Sequence, residues 1–308
     1  MYCTRTEFAL AGPITMDVET EHGEAEQNRA KRQRALHWQS QAVLLALVPP
    51  TAIWVTLVGG QAWNLGDPAL AQAVGISIGL AALVHLTRAA TLGAALTGGI
   101  FAAALYLQTP GLHTALWPLL ALLLLTFGAT RYGRRRKESL GTAESRRGRR
   151  AAQVAANLGV AALAGIPLSA LHVFNPETFS RRVALVAMIA AMAEATADTL
   201  SSELGQVLGG EPRLITNFRR VPAGTDGAIS VVGTLLGCLG AAAIVGVGTL
   251  TLSMSRAEAL AALGGGVAGL LIDSLLGAGP ERQGWLNNDA VNALSTLCAA
   301  LVAAWVLR

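Results

Sequence analysis

A chain of 308 residues that is 53% hydrophobic and only 14% charged, with a formal net charge of +4, departs from soluble domains, where about a quarter of residues are charged. A mean hydropathy of +0.49 and continuous apolar runs of about 20 residues exclude a soluble enzyme and call for membrane-spanning helices. The basic residues lie in the segments between those runs, so the charge is no nucleic-acid signature, and three cysteines build neither a disulfide framework nor a metal spacing.

Residues 1–36 are polar and of mixed charge, closing on Arg29, Lys31, Arg32 and Arg34. They read as a disordered cytoplasmic tail, with Met16 an alternative start. Residues 37–308 read as a single all-α transmembrane domain, a polytopic helix bundle of about nine spans. The expected spans are Ala42–Gly60, Pro68–Thr87, Ala89–Gln108, Thr114–Thr130, Ala151–Val173, Val183–Ser202, Ala228–Leu250, Ala257–Ala278 and Asn288–Val306. Pro49-Pro50 predicts a kink in the first, and the 34 glycines suit close helix packing. With the N-terminus inside, alternation leaves four of the 23 basic residues outside (Arg181, Arg182, Arg256, Arg308) and 19 inside. That bias fits the positive-inside rule. It makes 131–150 a basic cytoplasmic loop and 203–227 a Gly- and Arg-rich one, in a protein expected in the plasma membrane.

Every segment with chemical potential then falls on one side. Glu194, Asp198 and Ser202 are spaced i, i+4, i+8 and share a helix face, with Glu203 near the same end. Ionised carboxylates inside a bilayer are costly, and at a helix C-terminus the macrodipole disfavours them further. A bound cation explains them better than capping does, and oxygen-only ligands point to Mg2+. Asp273, near the end of the eighth span, invites the same argument. Asn287-Asn288-Asp289 fits a helix N-cap, but with Asn292 it supplies three amides and an acid in six residues. The candidate catalytic residues are therefore Asp198, Glu194 and Glu203, and the candidate metal ligands Asp198, Asp273, Asp289 and Asp226. Arg213, Thr216, Arg219, Arg220, Gly224, Thr225 and Gly227 combine turns, fixed cations and a helix start, as a phosphate site would. Arg136 and Lys137 of the basic loop, with Asn288 and Asn292, complete the candidate nucleotide and phosphate ligands. No Walker motif occurs, and the five histidines show no ligand spacing.

Six ordered segments carry a resemblance: RKESLGTAESRRGRR (136–150), ADTLSSELG (197–205), PRLIT (212–216), VPAGTDG (221–227), DSLLGA (273–278) and WLNNDAVN (285–292). From about Thr91 onward the chain resembles the integral membrane family typified by phytyl-phosphate kinase of vitamin E and chlorophyll-phytol salvage. The resemblance implies phosphoryl transfer from a nucleoside triphosphate, CTP being expected, to an isoprenyl monophosphate such as phytyl or geranylgeranyl phosphate, giving the diphosphate. The pattern D-x-x-x-S-x-x-G at Asp198, Ser202 and Gly205 is distantly similar to CTP-dependent polyprenol kinases and CDP-lipid-forming cytidylyltransferases, which stand as an alternative. An ion-coupled transporter using Glu194 and Asp198 as relay groups is another. Partners expected are the isoprenoid phosphate, the nucleotide and the bilayer, with the oligomeric state left open.

Overall fold

A computed structural model describes residues 35–145, 147–166 and 181–308. The expected tail, up to residue 34, and the expected end of the fifth span, beyond residue 166, lie outside them. Ten helices follow one another: α1 (His37–Asn64), α2 (Ala69–Leu86), α3 (Leu92–Gln108), α4 (Leu116–Arg131), α5 (Arg134–Ser139), α6 (Ala151–Ala164), α7 (Arg181–Leu208), α8 (Val231–Leu252), α9 (Arg256–Leu276) and α10 (Asn288–Val306). Six of them (α1, α2, α7, α8, α9 with its following turn, and α10) are long and apolar enough to cross a membrane, and α3, α4 and α6 are shorter apolar helices. Among the described residues this is the all-α polytopic bundle expected.

The departures are local. Helix α1 continues through Pro49-Pro50. The basic loop contains the short helix α5. Helix α7 runs on to Leu208, so Glu203 is helical and the following loop starts only at Gly209. That loop carries a minimal antiparallel ladder, β1 (Arg213–Leu214) with β2 (Ala228–Ile229), pairing Arg213 with Ile229.

Helix α7 is the axis of the fold. Nearly every residue from Val183 to Leu200 is buried, and α4, α6, α8, α9 and α10 all pack on it. Its first half, 183–193, is Ala-rich and apolar around its whole circumference, and such a segment has no other stable position. Small residues let the neighbours in. A Cβ at Gly237 of α8 would lie 2.8 Å from the Ala197 carbonyl oxygen, and one at Gly233 the same distance from that of Ser201. Helix α1 is the opposite case: among its residues only Gln39, Ser40, Thr51 and Gly59 are buried, while Leu45, Ile53 and Leu57 point outward, as a lipid-facing helix requires.

The helices alternate in direction, and side chains fasten each end. At one end Arg182 grips Glu258 with two nitrogens and donates to the Leu252 and Ser253 carbonyls closing α8. The Arg181-Arg182 pair is the exception to the charge bias, and this pairing neutralises half of it. At the other end Gln39 Nε2 donates to the Trp285 carbonyl and Gln39 Oε1 accepts from the Asn287 amide, tying the start of α1 to the start of α10.

Candidate active site

The acidic motifs gather where α7 and α9 approach that second end. Asp198 and Asp273 bring their carboxyls side by side in one cleft. Glu194 lies one turn deeper, 1% exposed, beside Ser295 of α10, whose hydroxyl donates to the Asn292 carbonyl. Gly269 makes room for it: a Cβ there would lie 2.5 Å from Glu194 Cγ and 2.8 Å from Ala299 Cβ. One oxygen each of Glu194 and Asp273 is buried with no partner among the described residues. Two carboxylates in contact repel unless a proton or a cation lies between them.

A polar cleft of about 290 Å³ opens above the pair, lined by Asp198, Asp273, Ser202, Arg149, Asn292 and the turn Gly224–Gly227 among others. The turn is seated by backbone contact. A Cβ at Gly227 (φ +70°) would lie 2.0 Å from the Ala278 amide nitrogen, and one at Gly277 would lie 2.7 Å from the Gly227 nitrogen. The VPAGTDG and DSLLGA segments are thus one unit, built where the chain after α9 forms a π-helical turn, Gly277–Glu281. On the opposite wall Arg149 is held by its own backbone. Its N–H donates to the Ala89 carbonyl and its carbonyl accepts from the Thr91 N–H, both at 3.0 Å. Gly148 (φ +79°) permits that crossing, because a Cβ there would meet Ala89 at 2.5 Å. The Arg149 guanidinium reaches Thr199 Oγ1 at 3.4 Å, on the turn of α7 that carries Asp198. Asn292 Nδ2 donates to Asn157 Oδ1 at 2.9 Å.

The expected site residues divide. Asp198, Asp273, Asp226, Gly224, Thr225, Gly227, Asn288, Asn292 and Glu203 all line the cleft, with Glu194 buried one turn below. The loop arginines stand outside it: Arg213 donates to the Phe218 carbonyl, Arg220 pairs with Glu211 at 2.8 Å, and Arg219, Thr216 and Arg136 are exposed away from the lining. Asp289 turns aside as well. One of its oxygens accepts from Ser40 Oγ at 2.6 Å and lies 3.9 Å from Arg150. Lys137 is 1% exposed; its ammonium donates to the Ala129 and Thr130 carbonyls and to Glu203 Oε2, which uses all three N–H bonds. Every donor that a phosphate would need is thus engaged within the protein.

Arg149 and Asn157 were not singled out from the sequence. Arg149 stands among nine basic residues whose commonest role is topological, and Gly148 before it was the available signal. Asn157 is a lone amide in an apolar helix, a position that membrane energetics marks as unusual.

Among the described residues no three His, Cys, Asp or Glu side chains converge closely enough to hold a metal ion unaided. Asp198 and Asp273, with a partnerless oxygen on Asp273, nevertheless fit an ion that takes its other ligands from phosphate and water, as Mg2+ does.

Beside the cleft lies a second, mostly apolar cavity of about 570 Å³ between α2, α3, α4, α6 and α7. The two share Glu144, Arg149 and Asn157 in their walls.

Comparison with known proteins agrees with this architecture. The family model for "Integral membrane protein DUF92" matches residues 75–300. An uncharacterized membrane protein of Methanocaldococcus jannaschii is 46% identical over 119 residues, 39% of this chain and 50% of that protein. An uncharacterized membrane protein of Synechocystis sp. is 32% identical over 189 residues, 60% of this chain and 70% of that protein. Protein VTE6, chloroplastic, of Arabidopsis thaliana is 33% identical over 178 residues, 57% of this chain and 53% of that protein. The chain thus spans about half the length of the first and third of these relatives. No solved structure matches. The chain belongs to the DUF92 family of integral membrane proteins, the family that its motifs from Thr91 onward resemble.

Proposed function

We propose that the protein is a membrane phosphotransferase that moves a phosphoryl group from a nucleoside triphosphate, CTP in the first instance, to an isoprenyl monophosphate, yielding the diphosphate. The observation that carries this reading is the Asp198–Asp273 contact at the floor of a polar cleft, supported by the likeness to protein VTE6. Phosphoryl transfer asks little covalent chemistry of a protein; it asks for positioning and for charge opposite the phosphate oxygens. Asp198 and Asp273 would hold Mg2+, which supplies positive charge to the transferring phosphate when bound.

The chain's own residues do the rest. The Gly224–Gly227 turn offers backbone N–H groups to phosphate oxygens, and Arg149, held by Thr199 and by the Ala89–Thr91 backbone, offers a planar two-nitrogen fork. Asn288 and Asn292 are neutral donors on the α10 side. A monophosphate acceptor is already an anion near neutral pH, so its oxygen attacks without a strong base. A relay of ions across the membrane would give the Gly224–Gly227 turn and Arg149 no task; here Asp198 and Asp273 line one cleft with them, beside groups suited to phosphate.

The test is purified protein in detergent with Mg2+, each of the four nucleoside triphosphates, and phytyl or geranylgeranyl monophosphate. Diphosphate with release of nucleoside diphosphate is expected; pyrophosphate release would mean cytidylyl transfer instead. Asp198→Asn and Asp273→Asn should each lower turnover at least about 100-fold. Wild-type turnover in both variants would refute the assignment.

A further inference from the structure

The cavity beside the cleft is mostly apolar, yet its mouth is charged. Arg88, Arg131, Arg134 and Arg149 stand there with Glu144. Three of the arginines are engaged: Arg131 donates to the Thr87 carbonyl and lies over the Phe127 ring, Arg134 bonds Glu138 and the Glu144 carbonyl, and Arg149 reaches Thr199. Among the described residues the Arg88 guanidinium has no hydrogen-bond or ion-pair partner. Its backbone is also out of place. Arg88 has φ +57° and sits just past the end of α2, where its N–H donates to the His85 carbonyl and the next residue's N–H to that of Val84. That is the helix-ending position where glycine is favoured, because a side chain there crowds the backbone. An arginine kept at a glycine position, unpaired, beside a charged mouth points to a ligand. Arg149 enters the same mouth, since its N–H is bonded to the Ala89 carbonyl.

The depth of the cavity sets the ligand's length. Leu119 and Arg131 both line it, twelve residues apart along α4, which is ~18 Å at 1.5 Å per residue. An extended chain advances about 1.2 Å per bond, as a peptide of three bonds per residue shows. The cavity therefore takes a chain of about 15 bonds, the length of four isoprene units joined head to tail.

We infer that this cavity is the tail chamber of the acceptor, holding one isoprenoid chain of about 20 carbons with its phosphate between Arg88 and Arg149. The inference rests on the phosphotransfer reading for the identity of the head group. It places the acceptor on the α3–α6 side of Arg149 and the nucleotide on the α7–α9 side, so the two phosphates meet at the wall the cavities share.

Gly98 lines the chamber, and a Cβ added there meets only Val154 Cγ1, at 3.8 Å. Gly98→Leu should therefore fill the chamber without disturbing α3, and it replaces a poor helix former with a good one. The experiment is binding of radiolabelled geranylgeranyl monophosphate and dimethylallyl monophosphate to wild type, Gly98→Ala, Gly98→Leu and Arg88→Gly in detergent, with no nucleotide, alongside thermal melts. Gly98→Leu should weaken the twenty-carbon ligand at least about tenfold, equivalent to about two buried methylenes of lost contact, and leave the five-carbon ligand unchanged. Gly98→Ala should bind as wild type. Arg88→Gly should melt higher and bind both phosphates more weakly. Full twenty-carbon binding by a folded Gly98→Leu, equal affinity of wild type for both ligands, or displacement by equimolar phosphatidylglycerol would each overturn the chamber. Diphosphate formation, followed in parallel, separates the two claims. Unaltered twenty-carbon turnover in Gly98→Leu leaves the kinase standing and removes the chamber. Binding that Gly98→Leu blocks, with no diphosphate from any nucleotide, does the reverse.

Discussion

Replacing Lys137 by Met tests whether that cation is a staple. The substitution keeps the length of the side chain and removes the ammonium. Three acceptors lose their donor at once: the Ala129 and Thr130 carbonyls, in the last turn of α4, and Glu203 Oε2 at 2.6 Å. Carbonyls at a helix C-terminus have no partner within the helix, and a cation there also meets the favourable end of the dipole. Breaking a buried ion pair by removing one partner costs about 3–5 kcal/mol. The Glu203 side chain is 15% exposed, so water relieves part of that, and the lower end, about 3 kcal/mol, is expected. Lys137→Met with Glu203→Gln should recover about half, because the carboxylate's charge goes but the two carbonyls stay unpaired. Reversible unfolding in mixed detergent and dodecyl sulfate micelles gives the difference. If Lys137→Met unfolds like wild type while its nucleotide affinity drops tenfold, the side chain is a phosphate ligand and the reasoning from its hydrogen bonds is wrong.

Other substitutions probe the site and the bundle separately. Millimolar Mg2+ should raise the melting temperature of the wild type and leave Asp273→Asn unmoved, since only a ligand bound by the folded state shifts the midpoint; an equal shift in both would exclude Asp273 as a ligand. Gly227→Ala forces a side chain into a left-handed turn and against Ala278, and should expose 213–229 to limited proteolysis while the helices stay intact. Gly269→Ala crowds Glu194, Ala299 and Ser295 together and should cost about 1–3 kcal/mol by the same unfolding assay. Arg182→Met removes the grip on Glu258 and on the carbonyls closing α8. It should lower stability by about 1–2 kcal/mol with turnover unchanged, because it lies at the far end of the bundle.

The sequence announced the helices because their signal is composition, and lipid makes composition decisive: the expected span Asn288–Val306 has the same bounds as α10. It drew attention to Asp198 and Asp273 because a carboxylate in an apolar run has few ordinary uses, and both line one cleft. It misjudged the cations. A run such as RYGRRRKESL does not say which member turns inward, since that is decided by where α5 meets the end of α4; Lys137 is buried while Arg136, its neighbour, is exposed. Asp289 likewise looked like a site acid because Asn288 and Asn292 flank it, but one residue along a helix turns the side chain by about 100°, and it faces Ser40. The apolar cavity could not be read at all. It is a gap between five elements, and no residue's identity marks a volume that side chains leave empty.

A rod enclosed on all sides by its own protein has a consequence for biosynthesis. Helix α7 emerges from the ribosome before α8, α9 and α10, which form much of its sheath. Until they arrive, α4 and α6 cover only part of α7, and the faces of Glu194 and Asp198 that α8, α9 and α10 later close meet hydrocarbon or the translocon wall, at about 2.5–3.5 kcal/mol for an acid at mid-helix. A nascent chain stopped near residue 230 should therefore hold this segment poorly, and the final three spans, made last, are what lodge it in the membrane.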